Sequence, residues 1–550
     1  MTYYIGVDVG SGSVRAAVIS ELGAIVSTAT KELKIFQPQP DFFEQSSDDI
    51  WEAVVFSVKE AIRLSGISKN AITGVGFDAT CSLVVLDKDN QPLSVSPSGN
   101  PECNVIMWMD HRAKKQTEKI NSTQHEVLKY CGGALSLEME PPKLLWLKQN
   151  LREQCWNKAG HFFELPDFLT WKATGSLTRS MCSVVCKWGY IADSQGRREW
   201  SESFYKMIDL GDLLENNYYK IGNEVKLPGE WCGGLLPSTA RELGLNPAIT
   251  VATPIIDAHA GAIGCLACSA EDPEFPIPSG NCSQRMAVIA GTSTCHMVVN
   301  RDPIFVNGVW GPYYSAILPG WFANEGGQSS TGKLIDFVLE SHPAYEEAVE
   351  KAKEKDVHLH NYLNELLDDI AETEGKYSIA ELTNDYHMWP DYHGNRSPVA
   401  DWSLKGMLSG LTLSSNLETL AVKYLATLQA LAYGTKHIID EMNASGHDIC
   451  YLSMCGGLSK NNLFIQTHAD ITNLPIILPH TSESMLLGCA ILAASASGHY
   501  SSIQDAMEKM GGMGTVIFPD SNLKQYHDKK YKVFLKMLMD QREYRNIMAS

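Results

Sequence analysis

One hairpin pattern occurs twice in this chain, near its start and again just past its middle. In residues 3–20, two apolar, β-rich runs flank a turn of glycine and serine, GSGS at 10–13. In residues 286–299, two largely apolar runs again flank small, hydroxylated residues, GTST at 291–294. Two copies of one unusual hairpin, each near the start of a half, predict a duplicated architecture.

The length and composition predict two large domains. The 550 residues exceed what one ordinary core accommodates, and 44% apolar with 20% charged residues is ordinary globular composition. Residues 269–284 are rich in proline, glycine, aspartate and glutamate, and they form the natural junction. We therefore predict an N-terminal domain of residues 1–275 and a C-terminal domain of residues 285–550.

Helical and strand patterns alternate along the rest of the chain. Residues 48–65 carry apolar side chains at helical spacing after two serines, and residues 417–442 form a longer amphipathic helix. Short apolar strands are predicted at 73–77, 83–86, 250–256, 449–454 and 475–478. This alternation predicts α/β domains in which helices pack on sheets.

Charge and targeting signals narrow the partners. A formal charge of −19 and a pI of about 5.3 disfavour nucleic acid and anionic membranes, which an acidic protein repels. The N-terminus lacks the basic and apolar regions of a signal peptide, and the longest apolar run, 485–494, is too short to span a bilayer. We therefore expect a cytoplasmic protein without nucleic-acid or membrane partners.

The 14 cysteines do not form a recognisable framework in the sequence. They are scattered, often within apolar runs, and no four-ligand zinc spacing occurs. Cys265 and Cys268 form a single C-x-x-C pair. We interpret the cysteines as reduced, buried thiols.

The segment NEGGQSSTGK (324–333) resembles the start of a nucleotide-binding P-loop, G-x-x-x-x-G-K-[ST]. A working P-loop needs a serine or threonine after the lysine to bind Mg²⁺, but Leu334 follows Lys333. Residues 317–325 contain a proline, a glycine and a polar pair, so they make a poor buried strand. We instead predict a helix entry, with Glu325 just before it either contacting a ligand's hydroxyls or capping the helix.

The paired hairpins offer a different way to hold ATP. A tight turn of glycine and serine or threonine lets backbone N–H groups and hydroxyls face phosphate oxygens without obstruction. Two such turns facing each other across a cleft would grip a triphosphate from both domains. Asp8, just before the first turn, is placed to hold a hydrated Mg²⁺, and a turn-capping carboxylate is the alternative.

Five segments give the chain a family resemblance. They are IGVDVGSGSVRAAV at 5–18, PPKLLWLKQN at 141–150, IIDAHAGAIG at 255–264, AGTSTCHMVV at 290–299 and CGGLSKNNLFIQTHADITNLPI at 455–476. In their order and domain placement they resemble the FGGY carbohydrate kinases of the actin-like (ribonuclease H-like) ATPase superfamily, although the literal Phe-Gly-Gly-Tyr string is absent. The resemblance covers nearly the whole chain. It implies two actin-like α/β domains, an active-site cleft between them, and ATP and Mg²⁺ as cofactors.

The resemblance also assigns roles to individual residues. It matches the first phosphate loop to Asp8, Gly10 and Ser11, the second to Gly291, Thr292 and Ser293, and the adenosine-binding segment to Gly456, Gly457 and Asn461. It matches the catalytic aspartate to Asp257, at the end of the apolar run 250–256. A carboxylate there would orient a sugar hydroxyl and accept its proton, whereas its simpler alternative is a helix cap.

Four further segments, at 76–87, 104–113, 182–190 and 324–333, resemble the pentulose-kinase branch of the family. By that resemblance the sugar is contacted by Thr80, Cys81, Lys187, Asp257 and Glu325. A lysine and two carboxylates suit a keto-pentose, whose hydroxyls and carbonyl need acceptors and donors.

Asp110 and Arg112 have two interpretations, which we leave open. With the histidine between them they form either part of a sugar-site network or an ordinary salt-bridged strand end. Trp108, two residues earlier, is interpreted as wall or core rather than as a catalytic group.

Long runs at 160–175 and 388–407 extend the resemblance to D-ribulokinases. This implies a pentulose and ATP as partners, with D-ribulose converted to D-ribulose 5-phosphate. L-ribulose and D-xylulose stay open as acceptors, because hydroxyl placement within one pocket decides between them. A non-catalytic ATP-binding switch or scaffold is the alternative from another class of function. The oligomeric state also stays open, with a homodimer as one possibility.

Overall fold

The computed structural model of the protein describes residues 1–270, 272 and 282–549. Its strands are β1 (Tyr3–Val9), β2 (Ser13–Ser20), β3 (Ile25–Glu32), β4 (Glu44–Gln45), β5 (Ile72–Ala79), β6 (Leu83–Asp87), β7 (Val105–Ile106), β8 (Ala159–Glu164), β9 (Arg179–Ser180), β10 (Tyr190–Ala192), β11 (Arg198–Trp200), β12 (Val225–Lys226), β13 (Trp231–Gly234), β14 (Thr250–Ala252), β15 (Ile255–Ile256), β16 (Ser269–Ala270), β17 (Arg285–Ala290), β18 (Thr294–Asn300), β19 (Trp310–Tyr314), β20 (Phe322–Gln328), β21 (His387–Trp389), β22 (Met407–Ser409), β23 (Tyr451–Cys455), β24 (Ile476–Pro479) and β25 (Met513–Ile517).

The helices of the first half are α1 (Ser47–Ser65), α2 (Lys114–Asn121), α3 (Glu140–Asn150), α4 (Leu165–Thr174), α5 (Met181–Lys187), α6 (Glu202–Met207), α7 (Glu215–Tyr218), α8 (Pro237–Leu243) and α9 (Asp257–Ala267). Those of the second half are α10 (Gly332–Glu340), α11 (Tyr345–Glu354), α12 (Leu359–Thr373), α13 (Leu417–Ala444), α14 (Asn462–Thr472), α15 (Ser484–Ala496), α16 (Ile503–Met510) and α17 (Lys524–Ala549). The predicted α/β class is confirmed.

Two large sheets share one plan, and each contains one of the repeated hairpins. Within the described residues the first sheet has seven strands, in the order β13-β14-β5-β1-β2-β3 with β15 beside β5. The second has eight, in the order β16-β25-β24-β23-β17-β18-β20-β19. In both, an antiparallel hairpin (β1-β2, β17-β18) is joined on one side by a parallel strand, β5 or β23. The duplicated architecture is therefore confirmed.

The hairpin strands form where they do because they are covered on both faces. Almost every residue of Tyr3–Val9 and of Arg285–Ala290 is buried, as expected for central strands with layers on either side.

Across the two turns, Val9 pairs with Val14 and Ala290 pairs with Thr294. The first turn therefore has four residues between its paired strands and the second has three.

Two helices lie between the sheets, and each packs on the sheet of the opposite half. The helix α15, from the second half, packs on β1 and β5, while α9, from the first half, packs on β17. The two helices also pack on each other, and glycines allow the contact: a Cβ on Gly264 would lie 2.1 Å from the Ser484 carbonyl oxygen, and one on Gly488 would lie 2.1 Å from that of Ala260. One core cluster consequently contains apolar residues of both halves.

The helices predicted in both halves agree with the observed elements, and one predicted strand differs in extent. The helices predicted at 48–65 and 417–442 are α1 and α13, to within two residues at each end. The strand predicted at 250–256 is wrong in extent, because it is divided into Thr250–Ala252 and Ile255–Ile256. Pro254 lies in the gap and has no N–H to donate to a sheet.

The predicted domain junction, 269–284, falls largely outside the described residues, so the boundaries at 275 and 285 stay predictions. In the ranges that the structure covers, no helix has both the length and the apolar character needed to cross a bilayer.

Candidate active site

The first turn is held firmly by its surroundings. The Gly10 N–H donates to the Ser13 carbonyl at 3.0 Å, which closes the turn. The Ser11 hydroxyl accepts from the Trp108 indole N–H at 2.8 Å, and the Ser11 carbonyl accepts from Gln45 Nε2 at 2.9 Å. Trp108 therefore supports the turn from the side of the predicted sugar residues.

The near-match to a P-loop packs against the second turn. The N–H groups of Thr331 and Lys333 donate to the Thr292 carbonyl at 2.8 and 3.4 Å, and that of Gly332 donates to the Gly291 carbonyl at 3.0 Å. Because these N–H groups are already bonded, the start of α10 cannot cradle a phosphate with them. The contacts thus agree with the prediction that this segment is not a P-loop.

Two expectations about the same segment are wrong. Phe322–Gln328 forms β20, which is buried along its whole length between β18 and β19, although a poor strand was expected at 317–325. The polar pair is accommodated because Asn324 Nδ2 donates to the Ile304 carbonyl at 3.1 Å and Glu325 bonds Arg396. Glu325 lies within the strand, so it neither stands at the helix entry nor caps α10.

Two carboxylates lie side by side where β1 and β5 approach their carboxyl ends. Asp8 and Asp78 are register partners in these parallel strands, and both are buried. Arg15 bonds Asp8, and its other end bonds Glu483 of the second half at 2.8 Å. Burial, followed by the Asp8 charge, raises the pKa of Asp78 well above its usual range. Asp8 therefore lies in an acidic pocket with one fixed cation.

Asp257 begins α9, directly after the short strand β15. The Ala258 N–H donates to its Oδ1 at 2.7 Å. Burial and the Asp8 charge raise the pKa of Asp257 to about 7, while Ala258 and Lys187 oppose this rise. Glu325 also contributes to the rise, so Asp8, Lys187 and Glu325 all lie within electrostatic reach of Asp257.

Glu325 is the centre of a buried ion cluster. Arg396 donates to its Oε1, and the guanidinium carbon lies 4.0 Å from the centroid of the Trp310 ring. The Lys187 ammonium lies 4.5 Å from the same centroid. Although burial by itself raises the pKa of Glu325, Lys187, Arg396 and His259 together lower it to about 2. Glu325 is therefore ionised throughout the physiological range.

The second oxygen of Glu325 has no hydrogen-bond donor in the part of the chain that the structure describes. Oε2 is buried and lies 3.8 Å from His259 Nε2. Burial lowers the pKa of His259 to about 4, so its imidazole is neutral near pH 7. An ionised buried oxygen without a donor is costly, and a ligand hydroxyl would satisfy it.

Thr80 and Cys81 follow β5 directly and are buried beside this cluster. The Thr80 hydroxyl pairs with Ser82 Oγ at 3.3 Å. Burial by itself lowers the pKa of Lys187, but Cys81 and Glu325 outweigh it and leave that pKa well above its ordinary value. Lys187 is consequently a buried cation with a fixed position in the pocket wall.

Asp110 lies in a closed network of buried charges. Its Oδ2 accepts from Arg112 Nη2 and from the Phe43 N–H, both at 2.7 Å, and its Oδ1 accepts from the Arg112 backbone N–H at 2.9 Å. Arg112 also donates to Glu44 at 2.8 Å. The side chains of all three charged residues are 0% exposed. Because these contacts occupy both of its oxygens, Asp110 fits the salt-bridged interpretation better than the sugar-site one.

Removing the cation of this network should destabilise the fold. In Arg112→Ala, the carboxylates of Asp110 and Glu44 stay buried without a cationic partner, which costs about 3–5 kcal/mol of the free energy of unfolding. Urea unfolding followed by circular dichroism measures this loss. The control is Arg63→Ala, which removes an exposed ion pair and should leave the midpoint unchanged. An unchanged midpoint in Arg112→Ala with a raised KM for sugar would favour the other interpretation.

The predicted adenosine segment follows β23, beside the second turn. Gly456 has a φ of 97°, and a Cβ there would lie 2.4 Å from the Ala290 carbonyl oxygen at the end of β17. Gly457 is exposed. Asn461 is buried, caps α14 with its side-chain oxygen, and donates to the Tyr424 hydroxyl at 2.7 Å. The glycines thus leave an open surface, whereas Asn461 supports the segment from beneath.

Four residues of the pocket were not predicted: Asp78, His259, Trp310 and Arg396. A signal existed for Asp78, because it ends a predicted strand in the same way that Asp8 ends the first. For Arg396 the local pattern gives none, since its segment is far from Glu325 in sequence and carries no regular periodicity.

Comparisons with known proteins cover both halves of the chain. Residues 3–264 match the N-terminal domain model of the FGGY family of carbohydrate kinases, and residues 286–497 match its C-terminal domain model. The chain is 53% identical to the FGGY carbohydrate kinase domain-containing protein of Xenopus laevis over 548 residues, which cover 100% of this chain and 98% of the relative.

A D-ribulokinase of Saccharomyces cerevisiae is 40% identical over 514 residues, which cover 90% of this chain and 72% of that protein. The crystal structure of ligand-bound xylulose kinase from Lactobacillus acidophilus aligns with a TM-score of 0.78 at 18% identity, covering 100% of this chain and 99% of that one. At this identity the structural likeness establishes the fold alone, that of two actin-like α/β domains.

Proposed function

The chain belongs to the FGGY family of carbohydrate kinases, and we propose that it transfers the γ-phosphoryl group of ATP to the terminal hydroxyl of D-ribulose. The products are D-ribulose 5-phosphate and ADP. The identity to a yeast protein named D-ribulokinase, which extends over most of this chain, supports D-ribulose as the acceptor. The proposed domains are residues 1–275 and 285–550, with the reaction between them.

The observation that carries the proposal is the meeting of Asp257 with residues of both halves. Asp257 and Lys187 belong to the first half and Glu325 to the second, yet Lys187 and Glu325 both shift the pKa of Asp257, and Lys187 also lowers that of Glu325. The first turn lies directly after Asp8, and the second lies beside the segment that follows Glu325. A phosphate between the turns and a sugar beside Glu325 would therefore both lie near Asp257.

The acidic residues near the first turn fit a magnesium ion. Asp8, Asp78 and Asp257 supply carboxylate oxygens, and one oxygen of Asp78 is buried without a hydrogen-bond partner in the described part of the chain. Such hard oxygen donors are those that Mg²⁺ prefers, together with several waters. Asp8 would hold the hydrated ion, which when bound offsets the charge of the ATP phosphates.

Asp257 acts as the base toward the acceptor hydroxyl. The Ala258 N–H fixes one of its oxygens, and the other accepts the hydrogen bond of the sugar's terminal hydroxyl and then its proton. The backbone N–H groups and hydroxyls of Gly10, Ser11 and the second turn orient the phosphates. Positioning supplies most of the catalysis, because the transition state of phosphoryl transfer is largely dissociative.

Lys187, which lies over the Trp310 ring, and Glu325, the strand partner of Trp310, orient the sugar. The ammonium of Lys187 donates to the sugar's carbonyl or hydroxyl oxygens, and Oε2 of Glu325 accepts from a hydroxyl. Arg396 holds the other oxygen of Glu325 and is fixed on the Trp310 ring. Arg396 therefore acts as a positioning residue in this proposal.

The rate should depend on pH with a midpoint near neutrality. Asp257 accepts a proton only as the carboxylate, and its pKa is raised to about 7, so the inactive acid form predominates at lower pH. We expect kcat/KM to fall roughly tenfold for each pH unit below about 7, because this parameter reports the free enzyme. Steady-state rates between about pH 5.5 and 8.5 measure it. A flat profile over that range would contradict the role given to Asp257.

A panel of ketoses and polyols with Mg-ATP, ranked by kcat/KM, tests the acceptor. We expect D-ribulose to rank first, ahead of L-ribulose and D-xylulose. If another sugar ranks first, that sugar replaces D-ribulose as the proposed acceptor. ADP release with and without sugar tests the alternative of a non-catalytic switch. A kinase needs the sugar for rapid turnover, whereas equal release in both conditions would favour the switch.

A further inference from the structure

A buried cluster of sulfur and nitrogen ligands lies behind the predicted sugar residues. Cys182 and Cys186 are four residues apart on α5, so their side chains share one face of the helix. With His259 of α9 they form a group whose ligand atoms all lie within 4.8 Å of one another, and all three residues are buried. None of the roles described above uses the two thiols.

We propose that this cluster binds one thiophilic divalent cation such as Zn²⁺, with Glu325 as the fourth ligand. Two thiolates, one imidazole and one carboxylate are ligand types that zinc accepts in a four-coordinate site. Magnesium is excluded here because it prefers oxygen ligands. The site is thus distinct in chemistry from the acidic pocket around Asp8.

The observed distances approach those of a tetrahedral site. Cys186 Sγ lies 3.5 Å from His259 Nε2. For bond lengths of about 2.3 Å to sulfur and about 2.0–2.1 Å to nitrogen, tetrahedral angles place these two ligand atoms about 3.5 Å apart. The Nε2 to Glu325 Oε2 distance is 3.8 Å, against about 3.4 Å in a tetrahedron with similar bonds to oxygen. Small side-chain shifts would complete the site.

One of the proposed ligating atoms lacks a hydrogen-bond partner that would have to be displaced. Glu325 Oε2 is buried without a hydrogen-bond donor in the described residues, and it faces His259 Nε2. On the imidazole, Nδ1 is likewise buried without a hydrogen-bond partner in the described residues, while Nε2 faces Cys186 Sγ at 3.5 Å. A buried carboxylate oxygen that faces the imidazole of the cluster is a suitable fourth ligand for a cation.

The charge balance permits binding despite the nearby cations Lys187 and Arg396. Binding replaces two thiol protons by one cation: M²⁺ + 2 Cys–SH gives M(Cys–S)₂ + 2 H⁺, with both protons released to water. The buried site therefore gains no net charge. Because protons are released, the affinity should rise with pH.

Occupation of this site would block sugar binding. The cation takes the Glu325 oxygen that the proposed function gives to a pentulose hydroxyl, so the two ligands should compete. This consequence rests on the proposed function, whereas the binding of the cation does not.

Cadmium titration followed by ultraviolet thiolate-to-metal charge-transfer absorption tests the site on the full chain. We expect one equivalent of Cd²⁺ to give this absorption in the native protein and in Cys155→Ala, a control that removes a buried thiol elsewhere. In Cys182→Ala/Cys186→Ala we expect the affinity for this first equivalent of Cd²⁺ to be at least about 100-fold weaker. An undiminished first equivalent in the double variant would overturn the proposal.

A single variant and a competition keep the outcomes separate. Should the double variant fail to fold by circular dichroism, Cys182→Ser must still weaken the first equivalent by at least tenfold, and an unchanged affinity overturns the proposal. Added D-ribulose should raise the apparent Kd of Cd²⁺. If the cysteine-dependent absorption is present but D-ribulose leaves that Kd unchanged, the cation site stands and the sugar role of Glu325 fails. If D-ribulose is phosphorylated but no such absorption occurs, the cation site fails alone.

Discussion

Asp257→Asn should abolish nearly all turnover while leaving the fold and both binding events intact. The substitution keeps the shape of the side chain and its contact with the Ala258 N–H, but it removes the basic oxygen that takes the hydroxyl proton. General-base catalysis contributes about 10²–10⁴-fold, and we expect kcat to fall by that factor. A coupled assay of ADP formation measures kcat, and calorimetry measures the binding of ATP and D-ribulose.

Stability should not fall in this variant. The raised pKa of Asp257 means that the folded protein disfavours its charge, so a neutral amide relieves repulsion from Asp8. Asp167→Asn is a matched control, because burial also raises the pKa of Asp167 to about 7, yet its oxygen accepts from the Ser180 N–H outside the cluster. Near-normal kcat in Asp257→Asn, or an equal loss in the control, would refute the assignment.

Glu325→Gln should impair the use of the sugar much more than the use of ATP. The amide has nearly the same shape, but it no longer neutralises Arg396 and Lys187, and its nitrogen cannot accept a hydroxyl. A hydrogen bond to a charged group contributes about 1.5–3 kcal/mol, which corresponds to about 10–150-fold in a rate or binding constant. We expect kcat/KM for D-ribulose to fall by about 100-fold, mainly through KM, with the KM for ATP nearly unchanged.

The comparison is made with Glu138→Gln. Glu138 also faces Arg396, at 3.9 Å, but makes the more distant of the two ion pairs of that guanidinium. We expect Glu138→Gln to lower kcat/KM for D-ribulose by less than tenfold. If the two variants have equal effects, Glu325 acts only through the total charge around Arg396 and not as a direct sugar contact.

The sequence predicts those parts of the site that depend on local pattern. The turns at 10–13 and 291–294 follow from small residues between apolar runs. The place of Asp257 after such a run leaves a helix cap as the simpler alternative, and its catalytic role comes from the family resemblance. The family resemblance adds Lys187 and Glu325, which the fold then brings to one pocket. Neither the spacing of Lys187 and Glu325 in the sequence nor the composition around them predicts that the two side chains lie close together.

The remainder depends on long-range packing that no local signal records. Arg396 bonds Glu325 although the two residues are 71 positions apart in the sequence. Glu325 was misplaced at a helix entry because a strand with glycines and polar residues does not resemble a buried one. It is buried nonetheless, because Arg396 bonds one oxygen of Glu325 and the Ile304 carbonyl accepts from the Asn324 amide.

The exchange of α9 and α15 between the halves governs how this protein can be divided. A chain cut between residues 270 and 282 would separate each sheet from the helix that covers it, and α15 is apolar on all sides. Each fragment would expose that surface to water, so neither would persist as an independent globule. The kinase is consequently an obligate single cooperative unit, in which truncation at the junction yields aggregation-prone pieces rather than a sugar-binding half and a nucleotide-binding half.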